Sequence, residues 1–288
     1  MPDKIFCFRF IVWFLLCNAS LAALYGVDWK KNTEEAFGED EVKREAARKL
    51  GVRLLEQSVA APPAAVQADL PGIMDLFRDP RDSFRQQASA ILAFLAMFRP
   101  DGEQVLAPAV PLLLSLFEDG QPGVQENAVL SVALLKPRPP VAAIGALHSV
   151  LKRSGGDVRL GRQLAAMGLA RLSSTEPEAM RVLLEFLRSP RPARELELGL
   201  EGLRSATQDT ILRAELLEAA GELVESSNDA VGLVAITVFQ TQLGGRNRDA
   251  RFREIAGRVL EQAARNENLS AARREAARET MIQLLRSR

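Results

Sequence analysis

The sequence holds a single histidine, one tyrosine and two cysteines in 288 residues, and each shortage removes a class of chemistry. With His148 alone there is no multi-histidine metal centre and no second imidazole for proton relay. Cys7 and Cys17 both fall in the first 22 residues. A chain shortened by that segment has no thiol, hence no disulfide framework, cysteine nucleophile or thiolate metal site. Neither sign of charge dominates: 37 basic residues stand against 37 acidic ones, so no global attraction to nucleic acid or anionic membrane follows. Beyond phenylalanine, the aromatic residues past the leader-like segment are Tyr25 and Trp29. Both precede the repeats described below, which leaves little for base stacking and argues against a nucleic acid partner.

What is present begins with a leader-like segment. Lys4 and Arg9 precede the apolar run Phe10 to Cys17, and small residues follow at Ser20 and Ala22. This layout predicts a secretory signal peptide at residues 1–22, cut after Ala22, with a short linker at 23–38 and a folded region at 39–288. The expected location is exported, periplasmic or secreted. The competing expectation keeps residues 10–25 as a membrane anchor, although that run is shorter than the ~20 residues a spanning helix needs.

The folded region repeats. "LPGIMDLFRDPRDSFRQQASAILAFL" from Leu70 and "VPLLLSLFEDGQPGVQENAVLSVALL" from Val110 align without a gap at a 40-residue offset, a period of helical solenoids. Pro71 falls on Pro111, Phe77 on Phe117, Asp79 on Asp119 and Ala88 on Ala128. In each copy apolar residues three and four apart mark two helices around a polar turn. Second helices are expected to begin near residues 42, 84, 124, 158, 194, 231 and 272. Their buried slots are Val42, Ala46 and Leu50, then Phe84, Ala88 and Leu92, and so on to Val231, Ala235 and Phe239; the last helix has Ala272, Arg273 and Ala276 at the positions that correspond to Phe84, Arg85 and Ala88. The middle alanine admits a close partner helix, and a hairpin this small must cover its open flank with the next one.

These residues resemble the HEAT-repeat family, through the run from Leu70 and Pro71 past Asp79-Pro80 to Phe84, Arg85 and Ala88. The resemblance implies an all-α fold, a right-handed α-solenoid of about six to seven HEAT-like helical hairpins. It also implies a ladder between turn aspartates and the arginine after the valine slot, supplied here by Asp82 with Arg85, Asp157 with Arg159, and Arg273. Gln125 and Gly232 depart from that pattern.

No catalytic, cofactor-binding or metal-binding residue is assigned, and no cofactor is expected. His148 follows Leu147 on a first helix and reads as structural. The carboxylates Glu195 and Glu197 read as a solvated helix face. "GGDVRLG" lacks the strand and spacing of a phosphate loop and reads as a turn, and the acceptor pattern at Asn268 is given no role. Charge is polarised near the C-terminus, with an acidic segment from Glu195 to Asp229 and an arginine-rich one from Arg246 to Arg288. The functional expectation is a non-enzymatic scaffold binding a protein or peptide along Arg85, Gln125, Arg159, Arg194 and Arg273. Two other expectations stay open: a chromophore-handling protein similar to phycobilisome lyases built on related repeats, and an adaptor held at a membrane by residues 10–25.

Overall fold

The computed structural model describes residues 61–286, apart from 79–81, 154–158, 208–210 and 245–249. The leader, anchor and linker and the hairpin expected around Val42, Ala46 and Leu50 lie outside the described residues, as do Asp157 and the side chains of Asp82, Phe84 and Arg159. Contacts divide the chain after Pro140 into two compact units.

The described part of the first unit holds two hairpins. In hairpin I, α1 (Pro63–Asp75) continues through a single 3-10 turn at Leu76–Arg78, and α2 (Asp82–Phe98) returns. Leu70, Ile73 and Leu76 on the first arm and Ala88, Leu92 and Leu95 on the second are buried, all at most 3% exposed, and the Leu76–Arg78 turn contacts α2. Hairpin II is less regular. Its first helix is broken into α3 (Gly102–Leu106) and α4 (Val110–Ser115) around a 3-10 turn, and α5 (Pro122–Leu134) follows.

Pro108 accounts for the break. Proline has no N–H, so the helical bond that residue 108 would give to the carbonyl four residues back cannot form. That carbonyl belongs to Gln104, and the Gln67 side chain of hairpin I donates to it instead, Nε2 to O 3.0 Å. A fault inside one helix has become a tie between two hairpins.

The second unit stacks four hairpins in chain order. They are α6 (Ile144–Lys152) with α7 (Arg159–Leu172), α8 (Pro177–Arg188) with α9 (Ala193–Ala206), α10 (Ala214–Val224) with α11 (Asp229–Gly244), and α12 (Ala250–Arg265) with α13 (Ala271–Arg286). These are hairpins III to VI. Second helices α7, α9, α11 and α13 pack successively side by side, and first helices α6, α8, α10 and α12 form the other layer. Close approach relies on small residues. A Cβ on Gly202 of α9 would lie 2.4 Å from the Gln163 carbonyl and 2.6 Å from the Ala166 side chain of α7, so only glycine fits.

Second helices start within two residues of the expected places, usually earlier. The reason is local: the first helical turn is polar or proline, as with Pro122 before Val124, and a search for apolar slots meets the helix late. Val124, Ala128 and Val132 are fully buried, as are Val231, Ala235 and Phe239. The last helix departs from expectation. Ala272 is exposed and Ala276 half-buried, while Arg273, Ala277, Thr280 and Leu284 form the buried stripe. The stripe runs one residue later because Arg273, not an alkyl side chain, enters the layer. Among the described residues there is no strand, and no helix is long and apolar enough to cross a membrane.

Candidate interaction surface

The ladder residues occupy joints between hairpins, each built differently. In the first unit Arg85 of α2 reaches forward to Asp119 in the turn of hairpin II, Nε to Oδ2 3.4 Å. The other Asp119 oxygen accepts the Gln121 N–H at 2.8 Å, and the Gln125 side chain donates to the Asp119 main-chain carbonyl. Asn127, buried between α2 and α5, donates to the Ser89 hydroxyl at 3.0 Å. Asn127 and Ser89, both buried, thus satisfy each other across the joint.

In the second unit Glu195 lies between two guanidinium groups, 3.6 Å from Arg162 of hairpin III and 3.6 Å from Arg191 of its own turn. Arg162 also donates to the Arg153 carbonyl, and Arg191 stacks 4.5 Å over the Phe186 ring. Glu195 is therefore part of a joint. Arg273 of hairpin VI reaches back into hairpin V, where it donates to the carbonyls of Val224 (3.1 Å) and Ser226 (2.6 Å) and pairs with Asp229 at 2.5 Å. Its entry passes over Gly232, where a Cβ would fall 2.6 Å from the arginine Cδ. The departure at Gly232 thus makes room for the next hairpin's arginine.

Of the five expected partner-binding residues, Arg85 and Gln125 are half-buried in the Asp119 turn, and Arg273 is 4% exposed. The side chain of Arg159 lies outside the described residues. Arg194 faces solvent, paired with Glu197 at 2.5 Å.

Arg194 belongs to a surface stripe. On α9 the residues opposite the buried Gly199, which packs on Phe186 of α8, are Arg194, Glu197, Glu201 and Arg204, spaced three and four apart. Arg204 and Glu201 pair at 2.7 Å. The matching positions are Leu233, Thr237 and Gln240 on α11, and Glu275, Glu279 and Ile282 on α13. All are half-buried or exposed, so three neighbouring helices present Glu201, Thr237 and Glu279 as one row. Sequence reasoning passed over this row because its search followed the slot after the valine, which points into the joints. The polar i, i+3, i+7 face was the signal that could have found it.

The first-helix layer carries its own ties. Lys152 meets Glu185 at 3.3 Å, Arg188 meets Glu222 at 2.9 Å, and Arg258 meets Glu218. Glu225 accepts from Gln262 (2.8 Å) and Asn266 (3.3 Å). The sequence's charge polarity is largely answered here: acidic α10 is matched by basic hairpin VI. His148 sits beside this row, half-buried. Burial, then Lys152, holds its imidazole below the ordinary value against the pull of Glu185. The Arg181 hydrogen bond lowers Glu178, and the Lys152 hydrogen bond lowers Glu185. Among the described residues no group of histidine, cysteine or carboxylate is placed to hold a metal ion.

A HEAT-like repeats protein from the archaeon Thermococcus onnurineus NA1 superposes over 81% of this chain and 93% of its own, with a TM-score of 0.52 at 16% identity. The fold is HEAT-like. An engineered protein matches 88% of this chain at TM-score 0.45 and 18% identity, and this chain covers 66% of its length. A designed armadillo repeat protein, solved in complex with peptide (KR)4, matches 88% of this chain and 96% of its own at TM-score 0.41 and 17% identity. No family model and no curated protein matches the sequence.

Proposed function

We propose that this HEAT-like repeat protein is an exported, non-enzymatic scaffold that holds a protein or peptide partner against its second-helix face. The observation that carries the reading is the row Glu201, Thr237 and Glu279, one side chain from each of three successive hairpins at matching positions. Packed helices lie about 8–10 Å apart, so the row suits an extended segment that meets each helix once. Many modest contacts in sequence then give affinity without a deep pocket.

Selection of peptides from a random library, followed by Glu201→Arg with Glu279→Arg, tests the face directly. The expected result is recovery of binders whose capture fails with the double variant, while its circular dichroism and urea midpoint stay unchanged. Capture that survives in a folded double variant refutes the assignment. The export part of the proposal is supported by the leader-like pattern of residues 1–22. Mass spectrometry of the N-terminus decides it: a start at Ala23 agrees with export, and an intact Met1 or Pro2 favours the anchor at residues 10–25.

A further inference from the structure

Hairpin V does not use all the arginines of hairpin VI. Arg258 and Arg273 turn toward it, to Glu218 and Asp229. An open groove of about 670 Å³ lies between α12 and α13, lined by Arg265, Arg274 and Arg278, by Glu261 and Glu267, and by Ala264 and Met281. Arg265 pairs with Glu261 at 2.6 Å and Arg278 with Glu275 at 3.2 Å. Arg274 donates to the Glu267 main-chain carbonyl at 3.3 Å and has no carboxylate partner among the described residues.

The register of α13 explains what this groove is suited to. Since Arg273 and Ala277 take the places that Val231 and Ala235 hold in α11, Arg274 and Arg278 take those of Gly232 and Ile236. In α11 these two positions are buried, and Gly232 directly contacts the following hairpin's arginine. Two guanidinium groups there oppose the stacking of an apolar helix, because it would strip their hydration without supplying a carboxylate. Next along the same flank come Met281, half-buried, and Leu285, 49% exposed. At one end of this surface Arg274 offers a guanidinium that no carboxylate answers among the described residues, beside the half-exposed Arg278, and the other end is apolar.

We propose that this groove docks an acidic amphipathic segment of a partner protein. Carboxylates of that segment meet Arg274 and Arg278, and an apolar side chain covers Met281 and Leu285. The opposite side of the same hairpin already works this way, where Glu218 and Asp229 meet Arg258 and Arg273. Glu275 of the row on α9, α11 and α13 touches this groove through its pair with Arg278, but the groove proposal does not rest on that row, and its failure leaves that reading standing.

Fluorescence anisotropy with the full chain tests it, using two labelled helical peptides of equal length. One carries leucine and glutamate on opposite faces, and the other has lysine for every glutamate. The glutamate peptide is expected to bind, more weakly at raised salt, and the lysine peptide is expected not to. Arg274→Glu with Arg278→Glu should lower affinity roughly tenfold or more, Arg274→Lys with Arg278→Lys should retain most of it, and Glu201→Arg with Glu279→Arg should change nothing. Urea midpoints confirm that each variant is folded. Equal binding of both peptides, no binding of either, or indifference to the glutamate variants overturns the proposal. So does a doubled mass in sedimentation that these variants abolish, since a second copy would then be the occupant.

Discussion

Arg273 and Gly232 form one joint: the arginine of one hairpin fills the space that the absent side chain of the preceding hairpin leaves. The guanidinium there bonds the last carbonyl of α10, the Ser226 carbonyl in the turn after it and the first carboxylate of α11, so it closes the turn of a hairpin to which it does not belong.

Gly232→Ala is therefore expected to destabilise the chain by about 1–3 kcal/mol through overpacking, since the new Cβ meets the Val224 carbonyl as well as the arginine. Arg273→Ala should cost a similar amount, about 1–3 kcal/mol, by leaving the Val224 and Ser226 carbonyls without this donor. The two changes share a site, so the double variant should lose less than their sum. Urea denaturation of all three checks this, and strict additivity would deny the coupling.

Glu195 should matter more than its place on a charged helix suggests. Glu195→Gln removes the charge facing Arg162, whose side chain is 7% exposed, and breaking a buried pair from one side costs about 3–5 kcal/mol. Part exposure of the site and the remaining bond to the Arg153 carbonyl put the loss toward or below the lower end. A fall in the denaturation midpoint no larger than that of an exposed control such as Glu178→Gln would contradict it.

The outer row should behave as surface charge. Arg188 and Glu222 are each about half exposed, so a double-mutant cycle is expected to return about 0.2–1 kcal/mol at low salt and nearly nothing at 1 M salt. A coupling that persists in high salt would mean that the row is more deeply shielded than its exposure indicates.

Acid should weaken the link between α2 and α3, where buried Arg99 pairs with Asp101 and donates to the Ala61 carbonyl at 3.0 Å. Its hydrogen bonds to Asp101, 2.8 and 2.7 Å, hold that carboxyl below its ordinary value of 3.8. A depressed folded value means that the stabilisation is present above the unfolded value and is lost as pH falls through the folded one. Asp101→Asn should therefore be less stable than the parent at pH 7, with the two converging below about pH 4. Parallel stability profiles across that range would refute the assignment.

The hairpins were legible in the sequence because burial there depends on spacing, and Val124, Ala128 and Val132 announce it. The surface was less legible. The slot after the valine reads as a row, yet Arg85 turns forward to Asp119, Arg273 turns back to Asp229, and Gly232 is empty by design of its neighbour. Each depends on which hairpin stands next, a three-dimensional fact that no single repeat contains. The one-residue shift in α13 was hidden for the same reason: Ala272 and Ala276 look like slot residues, whereas an arginine looks like surface until a cavity is there to receive it.

Pro108 shows where such dependence leads. By releasing the Gln104 carbonyl it lets Gln67 recognise that segment from another part of the chain, much as a keyed connector accepts only its mate. Building blocks with such keys are not interchangeable. Transposing or duplicating one of them would preserve its helical pattern and still leave mismatched ends, so assembly order is inscribed in individual side chains as well as in the chain's connectivity.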